Sequence, residues 1–153
     1  MGKNPGKMFE EDFRKSIPRE WLQIRLKDAG GWSNATNTRF TISNPCDLII
    51  FTGYTLYLLE LKTSKTNTIP ISDELMKQVE RLEELPNLKY ATKAFIVNYR
   101  NRGETYLLNS YLISTLIKQN NKSIHIDFAC EYGMIIPQTK KRTRYTYYLE
   151  ELI

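Results

Sequence analysis

The fold is decided by one stretch of sequence, DLIIFTGYTLYLLELKT, which runs from Asp47 to Thr63. Two runs of apolar, β-branched and aromatic residues flank Gly53-Tyr54, a pattern typical of two strands joined by a tight turn. A two-residue loop with glycine first favours a type II′ turn. Because both faces of each run are apolar, we expect this hairpin to lie at the centre of a sheet.

The turn also predicts which residues face each other. With a two-residue loop, Thr52 pairs with Thr55, and Asp47 lies opposite Glu60. Lys62 points to the same face, two residues further on. Two carboxylates whose β-carbons are about 5 Å apart repel each other. A divalent cation such as Mg²⁺, which prefers oxygen ligands, would relieve that repulsion. The alternative is that these charges are simply solvated at the strand ends.

The rest of the chain alternates helical and strand patterns. We predict a first helix with Phe9, Phe13 and Ile17, its continuation through Trp21 and Ile24, the central hairpin, a helix over 73–85, strands over 94–99 and 104–108, and helices over 110–119 and 127–132. The order αββαββα predicts an α/β (α+β) fold, a mixed sheet with helices against it. The length fits one domain over 1–153.

Two polar side chains accompany the apolar stripes of predicted helices. Gln78 lies within the flank of the stripe formed by Leu75, Val79 and Leu82, where a buried amide needs a partner. Glu10 borders the stripe of the first helix in the same way. Either residue could instead hold its polar group in water at a helix boundary.

Composition favours an anionic partner. The chain has 22 Lys+Arg against 17 Asp+Glu, a formal charge of +5. Lys140, Lys141, Arg142 and Arg144 crowd one short segment that continues into tyrosines. This segment predicts either a phosphate-contacting patch or a solvated loop.

Several classes of protein are disfavoured. Cys46 and Cys130 are too few and too far apart for a disulfide framework or a zinc site. The sequence contains neither an apolar run of about 18 residues nor an apolar signal-peptide stretch, so we expect a cytoplasmic protein without a membrane span. The lone His125 lies between two isoleucines and is expected to be structural.

The sequence also resembles a known group of enzymes. Pro45-Cys46-Asp47 followed by Glu60-Leu61-Lys62 is similar to the PD-(D/E)XK nuclease signature, with Glu10 at the place of a first-helix acid. Most of the chain looks closer to RecU-type Holliday junction resolvases. The similar segments are 6–13, 60–63, 68–71 with Gln78, 94–97, 106–108, and the ending from Arg144, which resembles a C-terminal helix. One departure is Pro45, which lacks the side-chain ligand of the threonine typical there.

The resemblance implies a restriction-endonuclease-like fold, with a mixed central β-sheet flanked by helices and a protruding stalk hairpin at 30–44. It further implies a homodimer that resolves branched DNA, the four-way junction, by paired symmetric nicks in recombination and repair. The cofactor would be Mg²⁺, with Mn²⁺ as a substitute. A compact N-terminus would fit a phage-encoded version.

Residue roles follow from the same resemblance. Asp47, Glu60 and Gln78 would hold Mg²⁺, with Glu10 as a further catalytic acid. Lys62 would orient the attacking water or stabilise charge on the phosphorus. The DNA-binding residues would be Arg39 and Phe40 in the stalk, with Lys140, Lys141 and Arg142 near the end of the chain.

Three alternatives remain open. The chain could be another PD-(D/E)XK DNA nuclease, such as an exonuclease or a restriction-like enzyme. It could be a DNA-binding module without catalysis, although the intact Asp47, Glu60 and Lys62 argue against that. It could also be a basic protein in which these charges form a surface cluster.

Overall fold

The computed structural model describes residues 2–26 and 44–152. The helices are α1 (Pro5–Lys15), α2 (Asp73–Glu83), α3 (Ser110–Lys118), α4 (Ile126–Tyr132) and a short 3-10 helix (Glu150–Leu152). The strands are β1 (Leu22–Arg25), β2 (Leu48–Phe51), β3 (Leu56–Ser64), β4 (Thr68–Pro70), β5 (Ala91–Tyr99), β6 (Glu104–Asn109), β7 (Ser123–His125), β8 (Met134–Ile135), β9 (Gln138–Lys141) and β10 (Arg144–Tyr147). The stalk predicted at 30–44 lies outside the described residues, apart from Asn44.

A mixed sheet forms the centre of the described part of the chain, in the order β1-β2-β3-β5-β6-β8. Strands β3 and β5 run parallel, and the other neighbouring pairs are antiparallel. Two smaller pairs, β9 with β10 and β4 with β7, lie beside this sheet. The architecture confirms the predicted mixed sheet flanked by helices.

The central hairpin has the predicted register. Leu48 pairs with Leu59, and Phe51 pairs with Leu56. Gly53 in the loop has a φ of 99°, in the left-handed region that favours glycine. Continuing the antiparallel pairing by one residue places Asp47 opposite Glu60, as the turn predicts.

Side chains alternate along the strands and fill one core on each face of the sheet. We call these the α1 face, which α1, β10 and the 3-10 helix cover, and the α2 face, which α2, α3 and α4 cover. Buried residues of the α1 face include Phe13, Leu48, Ile50, Leu59, Ile96 and Leu149. Buried residues of the α2 face include Leu75, Leu82, Phe95, Tyr99, Leu108 and Ile124. Each such side chain contributes about 1.5–3 kcal/mol when fully buried, so the two cores are the main source of stability.

The predicted continuation of the first helix through Trp21 and Ile24 is wrong. Helix α1 ends at Lys15, and the following segment forms the edge strand β1, which pairs antiparallel with β2. Proline at position 18 disfavours helical backbone in the residue before it. The backbone groups of β2 then supply partners for an extended segment, a long-range effect that outweighs the local spacing.

The ending does not form the helix that the resemblance implies. Strands β9 and β10 form a hairpin there, and only Glu150–Leu152 is helical. Tyr147 is buried whereas its neighbour Thr146 is exposed, which is the alternation of a strand. The backbone N–H of Tyr147 donates to Ser16 Oγ at 2.9 Å, so the hairpin is fastened to the end of α1.

Among the residues that the structure describes, no helix is both long and apolar enough to cross a membrane.

Candidate active site

The candidate site lies where β2 begins and β3 continues past it. Backbone bonds hold Asp47 on both sides, because its N–H donates to Leu59 O at 3.0 Å and its carbonyl accepts from Leu26 N at 2.9 Å. Its carboxylate Oδ2 accepts the N–H of Leu61 at 3.1 Å. The Asp47 side chain is therefore fixed beside Glu60.

Glu60 is buried without sufficient partners. Only 2% of the residue is exposed, and its Oε2 has no hydrogen-bond partner. Burial, followed by the hydrogen bond and negative charge of Asp47, raises the pKa of Glu60 from its ordinary 4.5 to about 9. A lone carboxylate at this place is costly, since burial disfavours the charged form.

Gln78 faces the same side of the sheet from α2. The residue is 6% exposed, and its Oε1 also has no hydrogen-bond partner. Ser72 caps this helix by accepting the N–H of Leu75 at 3.2 Å, and Leu75, Val79 and Leu82 anchor it in the α2-face core. The sequence left two alternatives for Gln78, burial in this flank or a solvated amide at a helix boundary, and the structure shows the buried one.

The donor set fits a divalent cation. Two carboxylates meet here, and two of the buried atoms without a hydrogen-bond partner, Glu60 Oε2 and Gln78 Oε1, are oxygen acceptors. Leaving buried acceptors unmatched costs about 1–3 kcal/mol each, more for a charged group. Mg²⁺ takes such oxygens together with waters and phosphate. Asp47, Glu60 and Gln78 could therefore hold it.

Two cations accompany these acceptors. Lys62 lies on the same strand face as Glu60, two residues further along β3. The charges of Lys62 and Arg81 both lower the pKa of Glu60, against the larger effects of burial and Asp47. The Nε of Arg81 is buried and has no hydrogen-bond partner.

Glu10 lies on the α1 face instead. Its Oε1 accepts a hydrogen bond from Arg25 Nε at 2.5 Å, so it pairs with β1. Within residues 2–26 and 44–152, no three acidic, histidine or cysteine side chains are grouped to hold a metal ion. The catalytic role of Glu10 stays a prediction.

The predicted basic patch forms the tip of the β9–β10 hairpin. Lys140 and Lys141 are exposed on β9, and Arg142 is in the turn with a φ of 60°. Arg144, by contrast, is turned inward: its Nε donates to Asp12 Oδ1 at 2.7 Å. Three cations are thus presented to solvent and the fourth holds the hairpin against α1.

A row of hydrogen bonds connects β3 with this hairpin. Thr63 Oγ1 donates to Asn98 Oδ1 at 2.7 Å, and Asn98 Nδ2 donates to Thr105 Oγ1 at 2.8 Å. Thr105 Oγ1 in turn donates to Gln138 Oε1 at 2.6 Å. Because Thr63 follows Lys62 directly, the row sets the hairpin relative to the strand that carries Glu60.

The remaining residues that the sequence singled out lie outside the described residues or have structural surroundings. Arg39 and Phe40 lie outside the described residues. His125 caps α4, because its Nδ1 accepts the N–H of Asp127 at 3.1 Å. Cys46 is buried beside the site, and burial is the main cause that raises the pKa of its thiol to about 11.

Comparison with known proteins adds to this geometry. No profile of a known protein family matches the chain. The SPbeta prophage-derived uncharacterized protein YotM of Bacillus subtilis (strain 168) is 29% identical over 170 residues, which covers 97% of this chain and 85% of YotM. Among solved structures, Hjc of Archaeoglobus fulgidus, a Holliday junction resolvase from an archaeal hyperthermophile, is similar with a TM-score of 0.56 and 20% identity. The match covers 85% of this chain and 95% of Hjc.

The chain has the fold of Hjc. This likeness confirms the restriction-endonuclease-like architecture that the sequence predicts, with its mixed sheet between helices.

Sequence reasoning missed two residues. Arg81 comes three positions after Gln78, and that spacing on one helix could have indicated it. Asp12 accepts from Arg144 and from the N–H of Tyr145 at 3.1 Å. The role of Asp12 cannot be recognised from the neighbouring sequence, since its partners are distant along the chain.

Proposed function

We propose that this protein is a Mg²⁺-dependent endonuclease that resolves four-way DNA junctions by paired symmetric nicks. The observation that carries the proposal is the presence of two buried, unpartnered oxygens on the α2 face, Glu60 Oε2 and Gln78 Oε1, with the Asp47 carboxyl next to Glu60. The fold shared with a Holliday junction resolvase and the excess of basic residues support it. Mn²⁺ would replace Mg²⁺ at the same oxygens.

The reaction would hydrolyse one phosphodiester of each cut strand. A water oxygen bonds to phosphorus, and one ester P–O bond breaks, its oxygen taking up a proton. Mg²⁺ held by Asp47, Glu60 and Gln78 would supply positive charge next to the phosphoryl oxygens. Glu60 must lose its proton to take part, and Lys62 and Arg81 favour that loss.

Lys62 has a distinct place in this scheme. Its ammonium lies on the strand face of Glu60, where it can orient the attacking water or stabilise charge that develops on the phosphorus. Glu10, which pairs with Arg25 on the α1 face, would serve as a further acid. Arg39, Phe40 and the exposed hairpin cations Lys140, Lys141 and Arg142 would contact DNA backbone or branch-point bases.

We further propose a homodimer. Each chain offers one Asp47–Glu60 pair, so paired nicks in two strands need two copies. A closed two-fold arrangement is the commonest way to place two equal sites. The prophage-derived relative is consistent with a phage origin, and the reaction would take place in the cytoplasm.

A panel of substrates tests the proposal. Labelled four-way junction, linear duplex and single-stranded DNA are incubated with the protein, with Mg²⁺ or with EDTA. Symmetric nicks confined to the junction and dependent on Mg²⁺ are expected. Degradation of linear DNA would keep the nuclease and reject the resolvase. Tight binding without cleavage in any metal would leave a DNA-binding module.

A further inference from the structure

The α2 face contains buried side-chain atoms of both polarities that lack a partner. Two are acceptors, Glu60 Oε2 and Gln78 Oε1, and one is a donor, Arg81 Nε. A cation satisfies acceptors but leaves a donor unmatched. An N–H that is buried without an acceptor carries an energetic penalty of its own, by the same rule as the oxygens. The donor therefore needs a hydrogen-bond acceptor, which the cation cannot supply.

The helix places this donor beside the acceptors. Arg81 follows Gln78 by three residues, so the two side chains are neighbours on α2. Leu82, which is completely buried, fixes the helix at this level. The positive charge of its guanidinium favours the charged form of Glu60 and so lowers the pKa of that carboxyl. Yet in the described part of the chain Arg81 forms no ion pair with any carboxylate. The residue four positions before it on the helix is Lys77, which is also a cation and cannot neutralise it.

Resting on the proposed function, we propose that Arg81 binds a phosphate oxygen of the DNA substrate next to the cation held by Asp47, Glu60 and Gln78. A guanidinium suits this because its planar fork of N–H donors matches phosphate oxygens. The substrate phosphodiester then satisfies the donor while the cation satisfies the acceptors. Arg81 attracts the phosphate but repels the metal ion, so its removal has opposite consequences for the two ligands.

Two binding measurements on the full chain test this. DNA binding is measured by fluorescence anisotropy in EDTA over a salt series, with junction and duplex oligonucleotides. Mn²⁺ binding without DNA is measured by calorimetry. For Arg81→Gln we expect DNA affinity to fall roughly 10- to 100-fold, the range of one lost charge-assisted hydrogen bond. The slope of log affinity against log salt should fall by about 0.9. Mn²⁺ affinity should stay equal or rise.

Matched variants separate this role from a structural one. Arg81→Lys keeps the charge without the fork and should recover part of the affinity. Arg14→Gln is the control, because Arg14 on α1 also has a buried, unpartnered Nε but lies away from these acceptors. It should change DNA affinity less than about 3-fold, a difference of well under 1 kcal/mol. Circular dichroism checks that each variant is folded.

A neutral linkage locates the phosphate. If one methylphosphonate replaces the linkage that the wild type cuts, wild-type binding should weaken while Arg81→Gln binding does not weaken further. Equal losses of DNA and Mn²⁺ affinity in Arg81→Gln, or wild-type DNA affinity in it, would overturn the inference while leaving wild-type cleavage intact. Absence of DNA binding by the wild type would overturn the proposed function and this inference with it.

Discussion

Two buried carboxylates lie on opposite faces of the sheet and differ in how they are matched. Asp12, on the α1 face, is 5% exposed and accepts from Arg144 and from the backbone of Tyr145. Glu60, on the α2 face, is 2% exposed and has an unpartnered oxygen beside a second carboxyl. The carboxylate of Asp12 has its partners within the protein, whereas Glu60 keeps an unpartnered oxygen. We therefore expect Asp12 to contribute to stability and Glu60 to contribute to the proposed cleavage.

The largest expected effect comes from Glu60. Glu60→Gln keeps the shape but removes a charge that the cation needs, so we expect cleavage to fall by about 10²- to 10³-fold, as when one preorganised group is removed from an active site. Junction binding should change much less. Gel assays with Mg²⁺ measure the cleavage rates. The matched control is Asp12→Asn, assayed at a temperature below its melting temperature. A Glu60→Gln variant that cuts at the wild-type rate would refute the metal assignment.

Asp12 should show the reverse behaviour. Asp12→Asn leaves the Arg144 guanidinium without its buried partner, and we expect the melting temperature to fall by roughly 5–10 °C. Cleavage by the folded variant should stay within about 3-fold of the wild-type rate, because Asp12 lies on the opposite face of the sheet from Glu60. Calorimetric melting measures the shift. Glu20, which is exposed and has no ion pair with Arg144, is changed to Gln as the control and should shift the melting temperature very little.

The dependence of stability on pH gives a third distinction. Because the folded-state pKa of Glu60 is raised above its ordinary value, to about 9, its contribution to stability is present at low pH and is lost as pH rises toward 9. In EDTA at pH 8, Glu60→Gln should therefore be more stable than wild type, by about 1–3 kcal/mol. The difference should vanish near pH 4. Urea titrations across this range measure it.

Mg²⁺ should reverse that order. The ion should stabilise the wild type at pH 8 and leave Glu60→Gln almost unaffected, since binding to the native state alone raises stability. If both proteins melted alike at every pH, with and without the ion, the buried carboxyl would not be a ligand.

The smallest effects are expected at the hairpin tip. Each of Lys140→Ala, Lys141→Ala and Arg142→Ala should lower the log–log salt slope of DNA binding by about 0.9 for each lost phosphate contact, without changing the melting temperature. Arg144→Ala should instead lower the melting temperature, as Asp12→Asn does. Lys118, exposed on α3, is a control for unspecific charge removal. An unchanged slope in the triple variant would place the tip outside the interface.

The central strands and the positions of Asp47, Glu60 and Gln78 could be predicted because they depend on patterns within short stretches of sequence. The Gly53-Tyr54 loop determines the register that places Asp47 opposite Glu60, and the stripe of α2 indicates the burial of Gln78. Strand β1 could not be predicted from spacing, because its conformation depends on pairing with β2. The contact of Arg144 with Asp12 could not be predicted either, since Asp12 lies on the first helix, far away in sequence.

The two cores also differ in the span of chain from which they are assembled. Among the described residues, the buried members of the α2-face core fall between Cys46 and Ala129, whereas those of the α1-face core extend from Phe9 to Leu152. The hydroxyl of Tyr57 donates to the carbonyl of Leu152, a contact that closes a very long loop. During synthesis, the α2-face core can therefore form before the β9–β10 hairpin, against which α1 packs, has been made. Long-range closure is slow, so we expect the α1 face to be the last part of the nascent chain to gain protection from proteases.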